Sequence, residues 1–134
     1  MQLRNPDQPF ENLYLKDAVE LFKYLCTKLN TFTQQKNNLF TTLVLQLIRG
    51  ILAKPGQTLL STQAFVDVIK MQLFDGLYAN CLNRQKPIFV FSQEIFVYLV
   101  NNYRQHLKKE IAMFIHSISV PILLSGNSFF GHKD

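Results

Sequence analysis

The sequence predicts an all-α fold, an armadillo- or HEAT-like α-solenoid segment of about five helices. Apolar residues recur with helical spacing in five successive stretches, and Pro, Gly or potential capping residues separate several of them. The helix pairs follow one another about every 40 residues, near the armadillo and HEAT repeat lengths. A compact helical bundle fits the same hydrophobic pattern and is the alternative architecture.

Length and composition indicate a single core. The chain has 134 residues, of which 48% are apolar and 17% charged, so it belongs to neither the disordered nor the multidomain class. We expect residues 1–13 to form a polar lead-in, because Pro6 and Pro9 disfavour a helix there. Residues 14–126 are predicted to form one helical domain, part of a longer solenoid, and residues 127–134 the truncated start of a next segment.

The first helix is predicted from about Lys16 to Leu29. Apolar and charged residues alternate there with helical spacing, and the acids precede the bases, as the helix dipole favours. A stretch rich in Thr, Gln and Asn, residues 30–38, then leads to the second helix.

The second helix, from Leu39 to Leu52, is the predicted organising element. Its apolar residues come in adjacent pairs, each four residues after the last, which stacks them into a ridge for packing on other helices. The predicted core ridge consists of Leu43, Val44, Leu47, Ile48, Ile51 and Leu52. A carboxylate at Leu47 is therefore expected to be severely destabilising. Gly50 has no side chain, so a second backbone could approach it closely.

The third helix is separated from the second by Pro55 and Gly56, which end the second at Ala53 or Lys54. Ser61 or Thr62 can cap the third helix, which extends to about Asn80, and Asp75 and Gly76 soften its centre. Its predicted buried face comprises Phe65, Val66, Ile69, Leu73, Leu77 and Cys81.

The fourth segment begins at Pro87 and extends to about Asn102, and it is apolar almost all round. By propensity it could also be a strand. Its length and its neighbours favour a central helix covered on two sides, with residues 92–94 as one short polar face.

The fifth helix is predicted from about Arg104 to Leu124, with Pro121 kinking or shortening it. Its predicted inward residues are Leu107, Ile111, Phe114, Ile115, Ile118 and Ile122, and its predicted outward residues are Lys108, Lys109 and Glu110.

Catalytic chemistry finds little support in the sequence. His106 and His116 are predicted to point to nearly opposite sides of one helix, and no phosphate-binding glycine motif occurs. Cys26 and Cys81 have no metal-ligand spacing around them, so we interpret them as small buried hydrophobes of a reducing compartment. We therefore expect no enzyme and no catalytic, cofactor-binding or metal site.

Basic residues suggest one weak interaction patch. The net charge of +5 is scattered, with no run of five like charges, which argues against nucleic-acid binding. The predicted patch consists of Arg84, Lys86, Arg104, Lys108 and Lys109. It could meet an anionic membrane surface or an acidic protein partner, or it could simply be solvated helix ends. The interrupted apolar run at residues 111–124 is too short for a transmembrane span, and no signal peptide precedes it, so we expect a cytoplasmic protein.

Several segments resemble the region upstream of the catalytic domain in large Golgi Arf guanine-nucleotide exchange factors. The resemblance extends from about Tyr14 to His132. It is carried by residues 17–26 (DAVELFKYLC), residues 43–52 (LVLQLIRGIL), Phe65-Val66 with Ile69-Lys70, Ser92, Ile95-Phe96, Leu99, and residues 103–108 (YRQHLK) followed by Ile111 and Phe114.

This resemblance implies an armadillo-like stretch that adjoins or begins the homology-upstream (HUS) domain, shared with non-catalytic trafficking-scaffold relatives. It implies a regulatory module of Golgi vesicle transport, peripheral to Golgi and trans-Golgi membranes, that binds neighbouring domains, protein partners such as small-GTPase machinery, or membrane machinery. The Asn-Tyr-Asp-Cys box and the exchange domain with its glutamate finger would lie beyond Asp134, so exchange activity is expected in a longer protein. The alternative function is a general helical scaffold or membrane-surface adaptor unrelated to Arf.

Overall fold

The computed structural model describes residues 9–54, 56, 59 and 61–119, and every regular element in those ranges is helical. The helices are α1 (Pro9–Gln34), α2 (Asn38–Ala53), α3 (residues 63–80), α4 (Lys86–Tyr103) and α5 (residues 108–119). The predicted all-α class is confirmed. The architecture is compatible with a solenoid or a bundle, and the choice between them stays a prediction.

Helix α1 is longer than predicted at both ends. It is already helical at Pro9, the first described residue, so the predicted lead-in is wrong for residues 9–13. Pro is tolerated in the first turn of a helix, where its missing N–H has no intrahelical partner anyway. The linker to α2 is correspondingly short. Lys36 lies there in the left-handed region, with φ 58°, and Asn37 caps α2 by accepting a hydrogen bond from the Phe40 N–H at 3.1 Å.

Helix α3 has the predicted bounds, with Thr62 at its N-cap position, but its irregularity lies elsewhere. It runs from Gln63–Val68 through a π-helical turn at Ile69–Leu73 into Phe74–Asn80, so the softened region precedes Asp75 and Gly76. The predicted buried face of this helix, from Phe65 to Cys81, is confirmed in every residue.

The boundary between α4 and α5 was predicted inaccurately. Helix α4 extends to Tyr103 and a turn at residues 104–106 follows, so α5 begins at Lys108 rather than near Arg104. Ile115, predicted inward, is 45% exposed, because its neighbour Phe114 faces the core and adjacent helical residues point about 100° apart. The helix also changes there, from an α-helix at Lys108–Phe114 to a π-helix at Ile115–Ser119. The predicted Pro121 kink and Ile122 lie outside the described residues.

The core contains side chains from all five helices. Phe22 of α1 packs against Phe65 of α3 with ring centroids 4.4 Å apart, and Tyr103 of α4 lies 6.0 Å from Phe65. At the other side of the core, Phe114 of α5 stacks on Phe96 of α4 at 4.2 Å. Such aromatic pairs add attraction beyond the burial of their area. They fix α1, α3, α4 and α5 to one another.

The predicted ridge of α2 is only half buried. Val44, Ile48 and Leu52 are buried and Ile51 is half-buried, but Leu43 is 47% and Leu47 57% exposed. Adjacent helical residues point about 100° apart, so both members of an apolar pair reach the core only where neighbouring helices cover a wide arc. Here α1 and α4 cover one column of the pairs. The prediction that Leu43 and Leu47 are core residues is therefore wrong.

Helix α4 is a helix rather than a strand, as predicted. The short polar face assigned to residues 92–94 is wrong at Ser92, which is completely buried, and its hydroxyl has no hydrogen-bond partner among the described residues. Gln93 and Glu94 are half-buried.

Candidate interaction surfaces

The residues of the predicted basic patch lie at opposite ends of α4. Arg84 and Lys86 lie at the start of this helix, whereas Arg104, Lys108 and Lys109 follow its end. All five are exposed. Helix α4 has 18 residues and therefore spans about 27 Å at 1.5 Å per residue. This distance is well beyond the length over which salt screens charges, about 8 Å at physiological ionic strength. The patch is therefore two separate basic clusters, one at each end of α4.

An exposed apolar surface lies on α2. Leu39, Phe40, Leu43 and Leu47 are all exposed, and their spacing of three and four residues places them along one side of the helix. We call these four residues the α2 apolar row. The sequence-based prediction assigned two of these four residues, Leu43 and Leu47, to the core. The sequence does contain a signal for this exposure. Each adjacent pair has two members, so successive pairs form two apolar columns along the helix, and a neighbouring helix can cover one column and leave the other exposed.

The row borders a small apolar groove. Phe32 of α1 and Phe40 of α2 meet edge to face with ring centroids 5.2 Å apart. Together with Leu43 and Val44, these rings line a groove of about 250 Å³. A groove of this size accommodates one or two apolar side chains of a partner, which makes the start of α2 suited to protein binding.

The histidine and cysteine side chains of the described residues do not converge on one site. His106 lies in the turn after α4 and His116 in α5, and both are exposed. No group of three or more His, Cys, Asp or Glu residues within the described ranges could hold a metal ion. Burial raises the pKa of both the Cys26 and the Cys81 thiol to about 12, which keeps them protonated and poorly nucleophilic. Among the described helices, none has the length and apolarity needed to cross a membrane.

Comparisons with known proteins agree with one another. Residues 14–134 match the sequence model of the Sec7-like HUS domain, described as Mon2/Sec7/BIG1-like. The chain is 30% identical over 137 residues to brefeldin A-inhibited guanine nucleotide-exchange protein 1 of Rattus norvegicus and of Homo sapiens, an alignment that covers 96% of this chain. It is also 30% identical over 114 residues to the protein of that name from Arabidopsis thaliana, with 81% of this chain covered.

The chain spans only 7% of the length of these relatives, and the domain that it matches is the HUS domain. No solved structure matches the chain.

Proposed function

Since the chain belongs to the Sec7-like HUS domain family, we propose that it is a non-catalytic interaction module of a large Arf guanine-nucleotide exchange factor. In this role it acts in Golgi vesicle-mediated transport, at the cytoplasmic side of Golgi and trans-Golgi membranes. It binds another helical segment of the exchange factor or of its partner machinery, and nucleotide exchange on Arf takes place in a separate domain.

The observation that carries this proposal is the α2 apolar row. Exposed apolar side chains at positions 39, 40, 43 and 47 form one continuous side of a helix, and the neighbouring groove of Phe32 and Phe40 extends it onto α1. Contiguous apolar surface of this kind mostly marks a docking site, and an amphipathic helix is its usual complement. The long remainder of the relatives, over nine-tenths of their length, offers many helical segments as partners.

The test is a binding measurement with fragments of the human relative. The chain is titrated with fragments from outside the HUS domain, and the fragment that binds is titrated with the variant Leu43→Glu/Leu47→Glu. Two carboxylates in an apolar interface should weaken binding on the order of ten-fold or more. Met71→Glu is the matched control, because Met71 is also an exposed apolar residue but belongs to α3. Equal binding by the two variants would show that the interface lies outside the α2 apolar row.

The proposed lack of exchange activity has its own test. Nucleotide release from Arf is measured with the isolated chain, and the rate should stay at the background rate. Stimulated release would overturn the non-catalytic assignment whatever the binding experiment gives.

A second, electrostatic role is favoured by one of the two basic clusters. Arg104, Lys108 and Lys109 are exposed and close in sequence at the junction of α4 and α5. We propose that this cluster adds a weak contact with an anionic membrane, on the order of 1 kcal/mol per basic residue. Lys108→Glu/Lys109→Glu should lower binding to phosphatidylserine vesicles, and raised salt should mimic it, since the screening length is about 10 Å at 0.1 M. Salt-independent vesicle binding would exclude this role.

A further inference from the structure

Gly50 lies in the interior of α2, at a position that the packing of the chain itself does not explain. It is exposed, and a Cβ atom added there would meet no atom of the described residues within 4 Å. Glycine weakens a helix interior relative to alanine, because it loses more backbone freedom on folding. The space above Gly50 is therefore open to a side chain of another molecule.

Gly50 continues the α2 apolar row. Phe40, Leu43, Leu47 and Gly50 follow one another at intervals of three, four and three residues, so all four lie along one exposed side of the helix. These intervals are the same in both directions along the chain. In an antiparallel pair of α2 helices, Leu43 therefore lies opposite Leu47 of the second copy. A two-fold symmetric contact of this kind uses the same surface on both molecules.

The shapes of the residues fit the same antiparallel pair. Phe40 has the largest side chain of the row, and it lies opposite Gly50 of the second copy, which has none. The groove lined by Phe32, Phe40, Leu43 and Val44 measures about 250 Å³, and it receives a leucine side chain of the second copy next to Leu43. Large side chains thus meet open space at both ends and in the middle, as close packing requires.

The charges near the row do not point to a charged partner. Arg49 is the only charged residue from Phe40 to Gly50, and its guanidinium pairs with Glu94 of α4 at 2.7 Å. Pairing of two α2 helices therefore buries no unpaired charge, which would be costly. The row suits an uncharged apolar helix side, and α2 of a second copy presents one.

The exposed area sets the strength of such a contact. Leu39, Phe40, Leu43 and Leu47 keep between 44% and 67% of their surface exposed. Side chains of this size then expose on the order of 100 Å² each, so the row and its groove offer roughly 400–500 Å² per molecule, against about 800 Å² per partner in a stable complex. We expect a weak dimer with a dissociation constant on the order of 0.1 mM.

We propose that the α2 apolar row pairs antiparallel with the α2 apolar row of a second copy of this chain. This inference rests on the proposed function, because it uses the same docking surface, and it names the helical segment that docks there. The contact brings two exchange-factor molecules together, and other contacts between two long proteins strengthen it through effective concentration.

The first experiment is sedimentation equilibrium of the chain, from about ten-fold below to about ten-fold above the expected dissociation constant. The average mass should rise from that of a monomer towards that of a dimer, and raised salt should not weaken the association, because the interface is apolar. Leu43→Glu/Leu47→Glu and Gly50→Phe should each weaken it on the order of ten-fold or more. Met71→Glu, on the exposed surface of α3, should leave it unchanged.

A second experiment tests the antiparallel register. Leu43→Glu and Leu47→Lys should each weaken self-association, but a mixture of these two variants should associate again. In the mixed pair the introduced carboxylate meets the introduced ammonium at one contact, and two leucines remain at the symmetry-related contact. A mixture of Leu43→Glu with Leu43→Lys is the control. Its two charges lie at different contacts of an antiparallel pair, so association should stay weak.

The outcomes separate this inference from the proposed function. A chain that stays monomeric throughout, yet binds a fragment of the human relative through the row, would overturn the dimer and leave the proposed function intact. Self-association that survives the row variants, or that raised salt abolishes, would also overturn the dimer, because the contact would then lie elsewhere. Restored association in the control mixture alone would show parallel helices and overturn the antiparallel pair.

Discussion

Gly76 of α3 packs directly against Leu29 of α1. A Cβ atom placed on Gly76 would lie 2.5 Å from Leu29 Cδ2, 3.1 Å from Leu29 Cγ and 3.3 Å from Asn30 Oδ1. Real Cβ atoms do not approach carbon at 2.5 Å, and Leu29 is completely buried, so its side chain has little room to move away. The absence of a side chain at Gly76 therefore sets how closely α1 and α3 approach.

The first prediction is that Gly76→Ala destabilises the chain. The methyl group displaces Leu29 at an overpacking cost of about 1–3 kcal/mol, which outweighs the gain of up to about 1 kcal/mol in helix propensity. Gly50→Ala is the matched control, because an added Cβ there meets nothing within 4 Å and should stabilise the chain by about 0.5–1 kcal/mol. Urea unfolding followed by circular dichroism measures both changes. A Gly76→Ala chain as stable as Gly50→Ala would show that Leu29 can move aside.

A second prediction concerns the ion pair between α2 and α4. Arg49 Nη1 donates to Glu94 Oε1 at 2.7 Å, and the same guanidinium lies 4.6 Å from the centroid of the Phe91 ring. Both ends are partly exposed, so Glu94→Gln should lower the free energy of unfolding by only about 0.5–1 kcal/mol, and less at high salt. Glu20→Gln on the exposed side of α1 is the control and should have no effect. Equal effects of the two variants would mean that the ion pair adds nothing measurable.

A third prediction separates the buried side of α2 from its exposed side. Leu45 is completely buried and Leu47 is 57% exposed, although both are leucines in the same helix. Leu45→Ala should cost about 2–5 kcal/mol through lost burial and cavity formation, whereas Leu47→Ala should cost less than about 0.5 kcal/mol. The two free energies of unfolding are measured side by side. Similar losses would show that the α2 apolar row is covered by the chain itself.

The elements that the sequence predicts well are those fixed by local pattern. The buried face of α3 from Phe65 to Cys81 and the end of α2 at Ala53 depend on spacing, capping and proline geometry within a few residues. The choice of helix over strand for α4 also succeeds, because it rests on the length of the segment and on the predicted helices that flank it in the sequence.

The features that sequence reasoning missed depend on which helices become neighbours. Gly50 and Gly76 are equivalent as glycines in helices, yet only Gly76 meets another helix. Leu43 has the same local spacing as its buried neighbour Val44, and only the position of the other helices decides which of them is covered. Likewise Lys36 and Arg84, far apart in the sequence, line one cavity between the turn from α1 to α2 and the turn from α3 to α4.

The last prediction concerns the two cysteines and high pH. Burial raises the pKa of the Cys26 and Cys81 thiols from 9.0 to about 12, and each is free of a disulfide. Above pH 9 the unfolded chain loses these protons while the folded chain keeps them. The free energy of unfolding should therefore fall as pH rises from about 9 towards 12, and the cysteine contribution should be fully present below about pH 9. Urea unfolding at pH 8, 9 and 10 measures this slope, and the double variant Cys26→Ala/Cys81→Ala, compared with itself across the same pH values, should show a smaller one.

Ellman's reagent supplies an independent readout: at pH 8 the folded chain should react only as fast as it opens, and the chain in urea at once. Fast reaction of the folded chain would show that the thiols are accessible, and an unchanged slope in the double variant would assign the pH dependence to other groups, such as Tyr103, whose pKa burial also raises.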